Sequence, residues 1–163
     1  SLEKLKKDNI VKEFGISVYD QEEYDSAMQF YDFDMVQVPV SLFDQRLIRN
    51  GFLERMRHEN KKIHARSIFL QGLLLERISL IPKKFHQSID EFKRFEEFVE
   101  VQKISKLDAC IAFIKSLPLD GCIIGINSLD QLQSSSDSFQ KNISLDHFSV
   151  KLNDETIIDP RYW

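Results

Sequence analysis

Four short strand-forming runs alternate along this chain with segments of helical periodicity. The runs lie near residues 12–18, 35–40, 63–69 and 122–126. Such alternation is typical of βα units, in which consecutive strands are parallel and the connecting helices pack on the sheet. The pattern therefore predicts an α/β fold with parallel strands alternating with helices, and we expect residues 1–163 to form a single domain.

The first two helices are predicted from their starting residues. Asp20 stands three residues before Glu23, which is a capping-box spacing. The apolar face of that helix would consist of Tyr24, Ala27, Met28 and Tyr31. After the second strand, Asp44 is placed to cap one helix that contains Gly51, although glycine costs about 1 kcal/mol inside a helix.

Two further helices are predicted between the third and fourth strands. The first spans about residues 89–103, where Phe92, Phe95 and Phe98 recur at helical spacing and indicate a core face. The second starts at Ser105, buries Leu107, Ile111 and Ile114, and stops before Pro118. The serine-rich segment 134–138 is interpreted as a solvated helix end or a linker.

Length and composition restrict the class of protein. The chain has 163 residues, of which 42% are hydrophobic and 29% charged, so it is globular rather than disordered. A closed eight-stranded βα barrel typically takes about 250 residues, so the length excludes an ordinary complete barrel. The net charge of -4 gives no electrostatic reason to expect nucleic acid as a partner.

The start of the chain and its cysteines indicate a cytoplasmic protein. The first eight residues carry charges where a signal peptide needs an apolar run, and no stretch reaches membrane-spanning length. Cys110 and Cys122 fit no ligand or redox motif, so we expect buried structural thiols. Because the first residue is Ser1 and not methionine, we expect a processed chain or a piece of a longer one.

Polar residues stand at the ends of all four predicted strands. Gln37 interrupts an apolar run, and burying an amide is costly unless it finds a partner. Ser17 can be a ligand contact or an ordinary strand-end cap. Gly72 gives the turn after the third strand room for close approach to a phosphate. Ser128 can cap the helix after the fourth strand. The N-terminus of that helix can bind an anion, or it can be an ordinary capped helix start.

These segments resemble the second half of an aldo-keto reductase, a family of nicotinamide-dependent oxidoreductases on a TIM barrel, over nearly the whole chain. Gly15-Ile16-Ser17 looks like the family's Gly-x-Ser signature. The resemblance implies that Ser17 and Gln37 hydrogen-bond the carboxamide of the cofactor. Arg66-Ser67-Ile68-Phe69 stands where the family usually has an aromatic residue followed by Ser-Pro-Leu. The planar guanidinium of Arg66 can stack on the nicotinamide in place of that ring, or it can form a structural ion pair with an acidic neighbour.

The resemblance also implies where the rest of the cofactor lies. Ser67 and the turn Leu70-Gln71-Gly72 can offer donors to the pyrophosphate, and Phe69 is counted among the cofactor-binding residues. Gly125-Ile126-Asn127-Ser128 looks like the family's last strand and leads into the helix that contains Gln131 and whose N-terminus receives the adenosine phosphate. The cofactor is therefore expected to be NADP or NAD. Relatives that prefer NADP often carry a lysine or arginine in the last segment, and none stands between Gly125 and Gln140.

The family's proton-donating tyrosine and its lysine, aspartate and histidine partners belong to the half that precedes this sequence. Tyr19 and Tyr24 match none of these motifs, so we assign no catalytic residue. No metal site is expected, since the histidines share no ligand spacing and are interpreted as surface or packing residues; they are His58, His64, His86 and His147.

A half-barrel has two open sheet edges, so we expect a complementary N-terminal half-barrel or a second copy as partner. The implied function is NAD(P)H-dependent reduction of an aldehyde or ketone, with this chain alone inactive. Two alternatives remain. One is a non-catalytic truncated or split product that binds nucleotide or a partner chain, and the other is an unrelated α/β domain of flavodoxin-like strand order.

Overall fold

The computed structural model describes residues 2–145 and 152–163, so the prediction for His147 lies outside the described residues. The strands are β1 (Gly15–Ser17), β2 (Met35–Pro39), β3 (Lys62–Arg66) and β4 (Gly121–Cys122). The helices are α1 (Leu2–Lys7), α2 (Gln21–Met28), α3 (Arg46–Arg49), α4 (Phe52–His58), α5 (Ile89–Gln102), α6 (Lys106–Lys115), α7 (Leu129–Gln140) and α8 (Glu155–Ile158). Short 3₁₀ turns occupy Leu73–Leu75, Ile78–Leu80, Lys83–Ser88 and Pro160–Tyr162.

The strands form one parallel sheet in the order β1-β2-β3-β4. Each strand therefore pairs with its neighbour in the sequence, as in a TIM barrel, whereas a doubly wound sheet changes direction at a switch point. The flavodoxin-like alternative is wrong for this reason. The predicted parallel α/β architecture is confirmed.

The sheet has one apolar face and one polar face. Val36, Val38 and Ile63 are fully buried between the sheet and the helices. Since successive residues of a strand point to opposite sides, the residues between them belong to the other face. There the register aligns Ser17 with Gln37 and Gln37 with His64. This polar face is the one that the inside of a barrel would enclose.

A second core lies beyond the carboxyl ends of the strands, where α5 and α6 cover the loop that follows β2. Phe43 contacts the rings of Phe92 and Phe95 at centroid distances of 5.0 and 5.9 Å. Phe98 is partly buried against the same cluster, and Ile157 and Ile158 of α8 are fully buried in it. The predicted core face of α5 is confirmed, and the C-terminal segment is part of the same core.

All four strands are shorter than the sequence predicts, and β2 and β3 end at Pro39 and Arg66 rather than at residues 40 and 69. β1 starts at Gly15, because the backbone N–H of Phe14 donates to the Asp34 side chain at 3.1 Å and not to the ladder. β4 ends at Cys122, whereas the prediction ran to residue 126. Its partner β3 ends at Arg66, and Ser67 has a φ of 56°, which turns the chain away.

The prediction of one helix after β2 is also wrong. Gly51 has a φ of 76°, a left-handed conformation that separates the predicted helix into α3 and α4. Asp44 nonetheless accepts from the backbone N–H of Arg46 at 3.3 Å. The helix α2 ends at Met28, so Tyr31 is outside it and exposed.

The segment 134–138 lies inside α7 and is not a linker. Ser138 is buried and donates to Oδ1 of Asp108 at 2.7 Å, so its hydroxyl has a buried partner. Asp108 also completes the capping box with Ser105 at the start of α6, as predicted. Of the residues expected to be buried in α6, Leu107 is only partly covered.

Both cysteines are free thiols. Cys110 is fully buried and burial raises the pKa of its thiol. Cys122 is half-buried, and burial raises its pKa as well. Within residues 2–145 and 152–163, no helix is long and apolar enough to cross a membrane.

Candidate functional site

A cavity of about 630 Å³ lies where β2, β3 and β4 end and α7 begins. Its lining includes nine of the eleven residues that the sequence singled out, namely Gln37, Arg66, Ser67, Phe69, Gln71, Gly72, Gly125, Asn127 and Gln131. Ser17 and Ser128 do not line it but hydrogen-bond residues that do. Binding clefts at the carboxyl ends of barrel strands are the rule for this architecture. The structure thus gathers the predicted residues around one cavity.

Ser17, Gln37 and Arg66 form a connected hydrogen-bond network on the polar face of the sheet. The Ser17 hydroxyl donates to Oε1 of Gln37 at 3.2 Å and accepts from Nε of Arg66 at 3.1 Å. The amide nitrogen of Gln37, in contrast, donates to no described residue. An amide N–H₂ group at the wall of the cavity can therefore donate to a carbonyl oxygen of a ligand.

Arg66 is positioned by contacts on the side of β1. Its guanidinium lies 4.1 Å from the ring centroid of Tyr19 and donates to the carbonyl of Val18 at 3.4 Å. Among the described residues that line the cavity, Arg66 is the one cation and Asp130 the one anion. The cavity can offer a single positive charge to an anionic ligand.

The loop after β3 follows an unusual backbone path. Ser67, Leu70, Gln71 and Gly72 have φ values of 56°, 49°, 55° and 89°. Left-handed conformations of residues other than glycine are uncommon and often occur at functional sites. No atom lies within 4 Å of the position that a Cβ of Gly72 would take, so a ligand can approach the backbone there.

The same loop offers fewer backbone donors than the sequence predicts. The N–H of Leu70 donates to the Ser67 carbonyl at 2.8 Å, and that of Gly72 donates to the Phe69 carbonyl at 3.0 Å. In the part of the chain that the structure describes, the backbone N–H groups of Ser67, Ile68, Phe69 and Gln71 donate to no protein acceptor. The side chain of Phe69 is half-buried and packs against both cores.

The start of α7 is capped by its own side chains. Ser128 accepts from the N–H of Gln131 at 3.2 Å, and Oε1 of Gln131 accepts from the N–H of Asn127 at 2.8 Å. These bonds satisfy two backbone donors that a bound anion would otherwise use. The next N–H groups, of Leu129 and Asp130, are the ones that point out of the helix start without an intrahelical acceptor.

Sequence reasoning missed part of the cavity wall. Apolar side chains and an acidic one complete the lining, and they include Leu75, Leu107, Ile123, Ile126 and Asp130. Asp130 had a usable signal, because an acidic residue in the first turn of α7 faces the same end as Ser128. Leu75 and Leu107 had none, since they come from a turn and a helix far apart in the sequence.

No tyrosine of this chain is assigned a catalytic part. Tyr24 is fully buried and its hydroxyl donates to Glu59 at 3.1 Å. Burial and the Glu59 carboxylate raise its pKa. Among residues 2–145 and 152–163, no group of three or more potential ligand side chains could hold a metal ion.

The C-terminal segment, residues 152–163, is connected to the start of α2 by an ion-pair cluster that the sequence did not indicate. Asp159 is fully buried, and its carboxylate accepts from Arg161 at 2.7 Å and from Arg46 at 3.1 Å. Arg161 continues to Glu23 at 2.8 Å and to Asp20 at 3.3 Å. These ion pairs thereby hold the C-terminal segment against the N-terminus of α2.

The sequence of the chain matches one family. The sequence profile of the Aldo/keto reductase family matches residues 1–155, and the chain therefore belongs to that family. A search of the functionally curated proteins finds no match.

Solved structures show the same fold. An aldo-keto reductase from Bacillus halodurans in its holo form is 16% identical, with a TM-score of 0.69 over 86% of this chain and 48% of that one. Its apo form gives a TM-score of 0.69 at 17% identity, over 86% and 49%. A glycerol dehydrogenase from Gluconobacter oxydans is 18% identical, with a TM-score of 0.56 over 91% and 56%.

The chain spans about half the length of the structures that it matches. With the strand order β1-β2-β3-β4, it has the architecture of half a TIM barrel, in parallel strands alternating with helices. The family is one of oxidoreductases.

Proposed function

We propose that this chain is the cofactor-binding, C-terminal half of an NAD(P)H-dependent aldo-keto reductase that reduces an aldehyde or ketone. The observation that carries the proposal is the cavity at the carboxyl ends of β2 to β4, with the Ser17–Gln37–Arg66 network on its wall. The nicotinamide cofactor, NADP or NAD, supplies a hydride when bound. Residues 1–163 are taken as a single domain.

The residues present fit such a cofactor. The free amide N–H₂ of Gln37 can hold a carboxamide oxygen, and the Ser17 hydroxyl keeps the Gln37 side chain in place. Arg66 supplies a planar cation, and Gly72 and Gly125 leave open space beside the backbone. Apolar residues such as Ile123 and Leu107 cover part of the cavity and limit access of water.

The remaining predicted residues are assigned by position. Ser67, Phe69 and Gln71 line the cavity from the turn after β3, and Asn127, Ser128 and Gln131 lie at the start of α7. Because Ser128 and Gln131 already cap backbone donors, we expect them to shape this end of the site and the N–H groups of Leu129 and Asp130 to meet a phosphate.

The proton that the reduced carbonyl takes up must come from another chain segment. Tyr24 is committed to Glu59 with a raised pKa, and Tyr19 stacks on two arginines. We therefore assign binding of the nicotinamide cofactor to this chain, and we assign it no catalytic residue. On its own it binds cofactor without turnover.

A complementary partner is proposed for the polar sheet face. Within the described residues, the outer edges of β1 and β4 have no strand beside them. Near the β4 edge, Ile123, Leu129 and Leu132 are 47%, 76% and 52% exposed, although α7 buries serines on its other side. A separate N-terminal half-barrel would cover these groups, and a second copy of the chain is the alternative occupant. We place the protein in the cytoplasm, without nucleic acid or membrane as partner.

Titration of NADH and NADPH into the purified chain, followed by nicotinamide fluorescence, tests cofactor binding. We expect saturable binding that Gln37→Met weakens, because the variant keeps the side-chain length but loses the amide donor. Gln102→Met, on the exposed surface of α5, is the matched control. Absence of binding by the parent chain would contradict the proposal that this half holds the cofactor alone.

Mixing the chain with the N-terminal half of the Bacillus halodurans aldo-keto reductase tests the partner. We expect a one-to-one complex by analytical ultracentrifugation and oxidation of NADPH only when both halves and an aldehyde are present. A stable homodimer that stays inactive with every added half would instead support a non-catalytic split product. Turnover by the lone chain would contradict the assignment of the proton donor to another segment.

A further inference from the structure

The ring of Tyr19 is contacted by two guanidinium groups from distant parts of the chain. The guanidinium carbon of Arg66 lies 4.1 Å from the ring centroid, and that of Arg161 lies 4.3 Å from it. Contacts of this length between guanidinium groups and aromatic rings are favourable, the more so where water is partly excluded. Tyr19 therefore joins the end of β3 to the C-terminal segment.

Arg161 cannot move freely, because four oxygen atoms of three carboxylates hold its guanidinium. Its Nε and Nη2 donate to Asp159 at 3.0 and 2.7 Å, and the other contacts are Glu23 at 2.8 Å and Asp20 at 3.3 Å. Two of these carboxylates belong to the start of α2, directly after Tyr19. The backbone N–H of Tyr19 itself donates to Glu23 at 2.7 Å.

The C-terminal segment that carries Arg161 is itself anchored. Asp159 is fully buried against Arg46, and the indole N–H of Trp163 donates to the carbonyl of Ile157 at 3.0 Å. The Trp163 ring also contacts Phe85 at a centroid distance of 4.9 Å. Arg161 is thus a fixed support and not a mobile surface side chain.

Arg66, the other arginine that contacts the Tyr19 ring, needs such a support. Its hydrogen bonds to Ser67 and to the Val18 carbonyl are long, at 3.4 Å each. An arginine side chain loses about 2 kcal/mol of rotamer freedom when it is fixed, so weak bonds alone leave its orientation poorly determined. The contact with Tyr19 restricts the orientation of the guanidinium. Arg66 in turn donates to the Ser17 hydroxyl, and Ser17 donates to Gln37, so the orientation of Arg66 affects that of Gln37.

We propose that Tyr19 and Arg161 are positioning residues for the nicotinamide end of the cavity: the C-terminal segment fixes Tyr19, and Tyr19 fixes the guanidinium of Arg66. This inference rests on the proposed function, because it is the nicotinamide that Arg66 would meet. It adds a contribution of the chain end to the site, although neither residue lines the cavity at β2 to β4.

Binding of two ligands separates positioning from general damage. NADH carries the nicotinamide, whereas ADP-ribose lacks it and keeps the adenosine, the pyrophosphate and the second ribose. In Tyr19→Leu and in Arg161→Gln, we expect Kd for NADH to rise about 3- to 30-fold, which corresponds to the range of a stacking contact, and Kd for ADP-ribose to stay within about twofold. Tyr19→Phe keeps the ring and should restore NADH binding.

Arg94→Gln, which removes an exposed arginine of α5, is the matched control and should leave both constants unchanged. An equal rise for NADH and ADP-ribose in Arg161→Gln would overturn the inference, because it would indicate a structural effect on the whole site. Unchanged binding of both ligands would overturn it too.

The side-chain Nε–H signal of Arg66 in ¹H–¹⁵N spectra tests the inference without cofactor. In Tyr19→Leu the neighbouring aromatic ring is lost, so we expect this signal to shift. That shift shows how the signal responds when the contact between Tyr19 and Arg66 is removed. If Arg161 fixes Tyr19, Arg161→Gln shifts the Arg66 signal as well, and Arg94→Gln does not. An unshifted signal in Arg161→Gln overturns the inference, whereas failure of the parent chain to bind NADH contradicts only the proposed function.

Discussion

Nη1 of Arg46 donates to Oδ2 of Asp159 at 3.1 Å, across 113 positions of the chain. Arg46 also forms a two-bond pair with Asp44, with distances of 2.9 Å from Nε and Nη2. Burial lowers the pKa of the Arg46 guanidinium, but its hydrogen bonds to Asp44 and Asp159 outweigh that effect and raise it. The loop after β2 and the C-terminal segment are therefore joined by charges that have little contact with water.

Asp159→Asn should destabilise the protein markedly, because it leaves Arg46 and Arg161 without their shared buried charge. Removal of one partner of a buried pair costs about 3 to 5 kcal/mol. Urea unfolding measures the change. Asp90→Asn breaks the exposed pair with Lys93 and should cost less than about 0.5 kcal/mol. Equal losses in the two variants would show that the Asp159 cluster adds no stability beyond a surface pair.

Gly51→Ala should cost about 1 kcal/mol through the backbone alone. The glycine has a φ of 76°, and no atom lies within 4 Å of the position that a Cβ would take. Gly125→Ala is the control, since that site is equally open and its φ is not in the left-handed region. Thermal unfolding of both variants should therefore differ, and a neutral Gly51→Ala would disprove the conformational explanation.

Acid should remove the contribution of Asp108 to stability. Burial raises the pKa of this carboxyl, but hydrogen bonds from Lys141, Ser138 and Ser105 outweigh it and lower the pKa from 3.8 to about 2. A lowered pKa in the folded state stabilises the protein above the ordinary value, and this stability is lost as the pH falls from about 4 towards 2.

Comparison of the parent chain with Asp108→Asn isolates that carboxyl from other acids that titrate in the same range. At pH 6 we expect the variant to be less stable by about 1 to 2 kcal/mol, since Lys141 is partly exposed and screened. The difference in the free energy of unfolding should shrink below pH 4. A difference that stays constant down to pH 2 would mean that the carboxylate charge has no part in it.

The cavity should show no preference for a cofactor with a 2′-phosphate. No lysine or arginine stands between Gly125 and Gln140, and Asp130 adds a negative charge at the start of α7. We expect Kd for NADPH to equal or exceed Kd for NADH. Gln131→Arg should lower Kd for NADPH by about fivefold or more, because a charge-assisted hydrogen bond becomes available.

Gln133→Arg makes the same charge change on α7, two residues further on and outside the cavity lining, and serves as the control. Fluorescence titration at fixed ionic strength compares the four constants. A parent chain that binds NADPH much more tightly than NADH would refute the interpretation of this helix start.

Local patterns in the sequence predicted the fold well where they depend on neighbouring residues. The helix starts at Asp20 and Ser105 are such cases, because a cap needs only a side chain and a backbone N–H three residues away. The predicted end of β4 was wrong, because β4 can pair only as far as β3 remains extended, and β3 turns at Ser67. Strand ends depend on the partner strand, which a single segment does not contain.

The candidate site was predicted in part for the same reason. Gln37 stands out in its own strand, so its place on the cavity wall was foreseeable. Arg161 was not, because its contact with Tyr19 joins residues 142 positions apart and no local pattern marks it. The resemblance to the family covered strands and loops but gave no information on this contact between the chain end and β1.

The strand order β1-β2-β3-β4 has a consequence for how the protein is made. Each new strand pairs with the one synthesised just before it, so β1, β2 and β3 can pair before β4 exists, and the long connection through residues 67–120 closes last. The half-sheet can thus assemble one βα unit at a time. Its inner side, where Ser17, Gln37 and His64 are aligned, would present polar groups to water at each stage of this assembly.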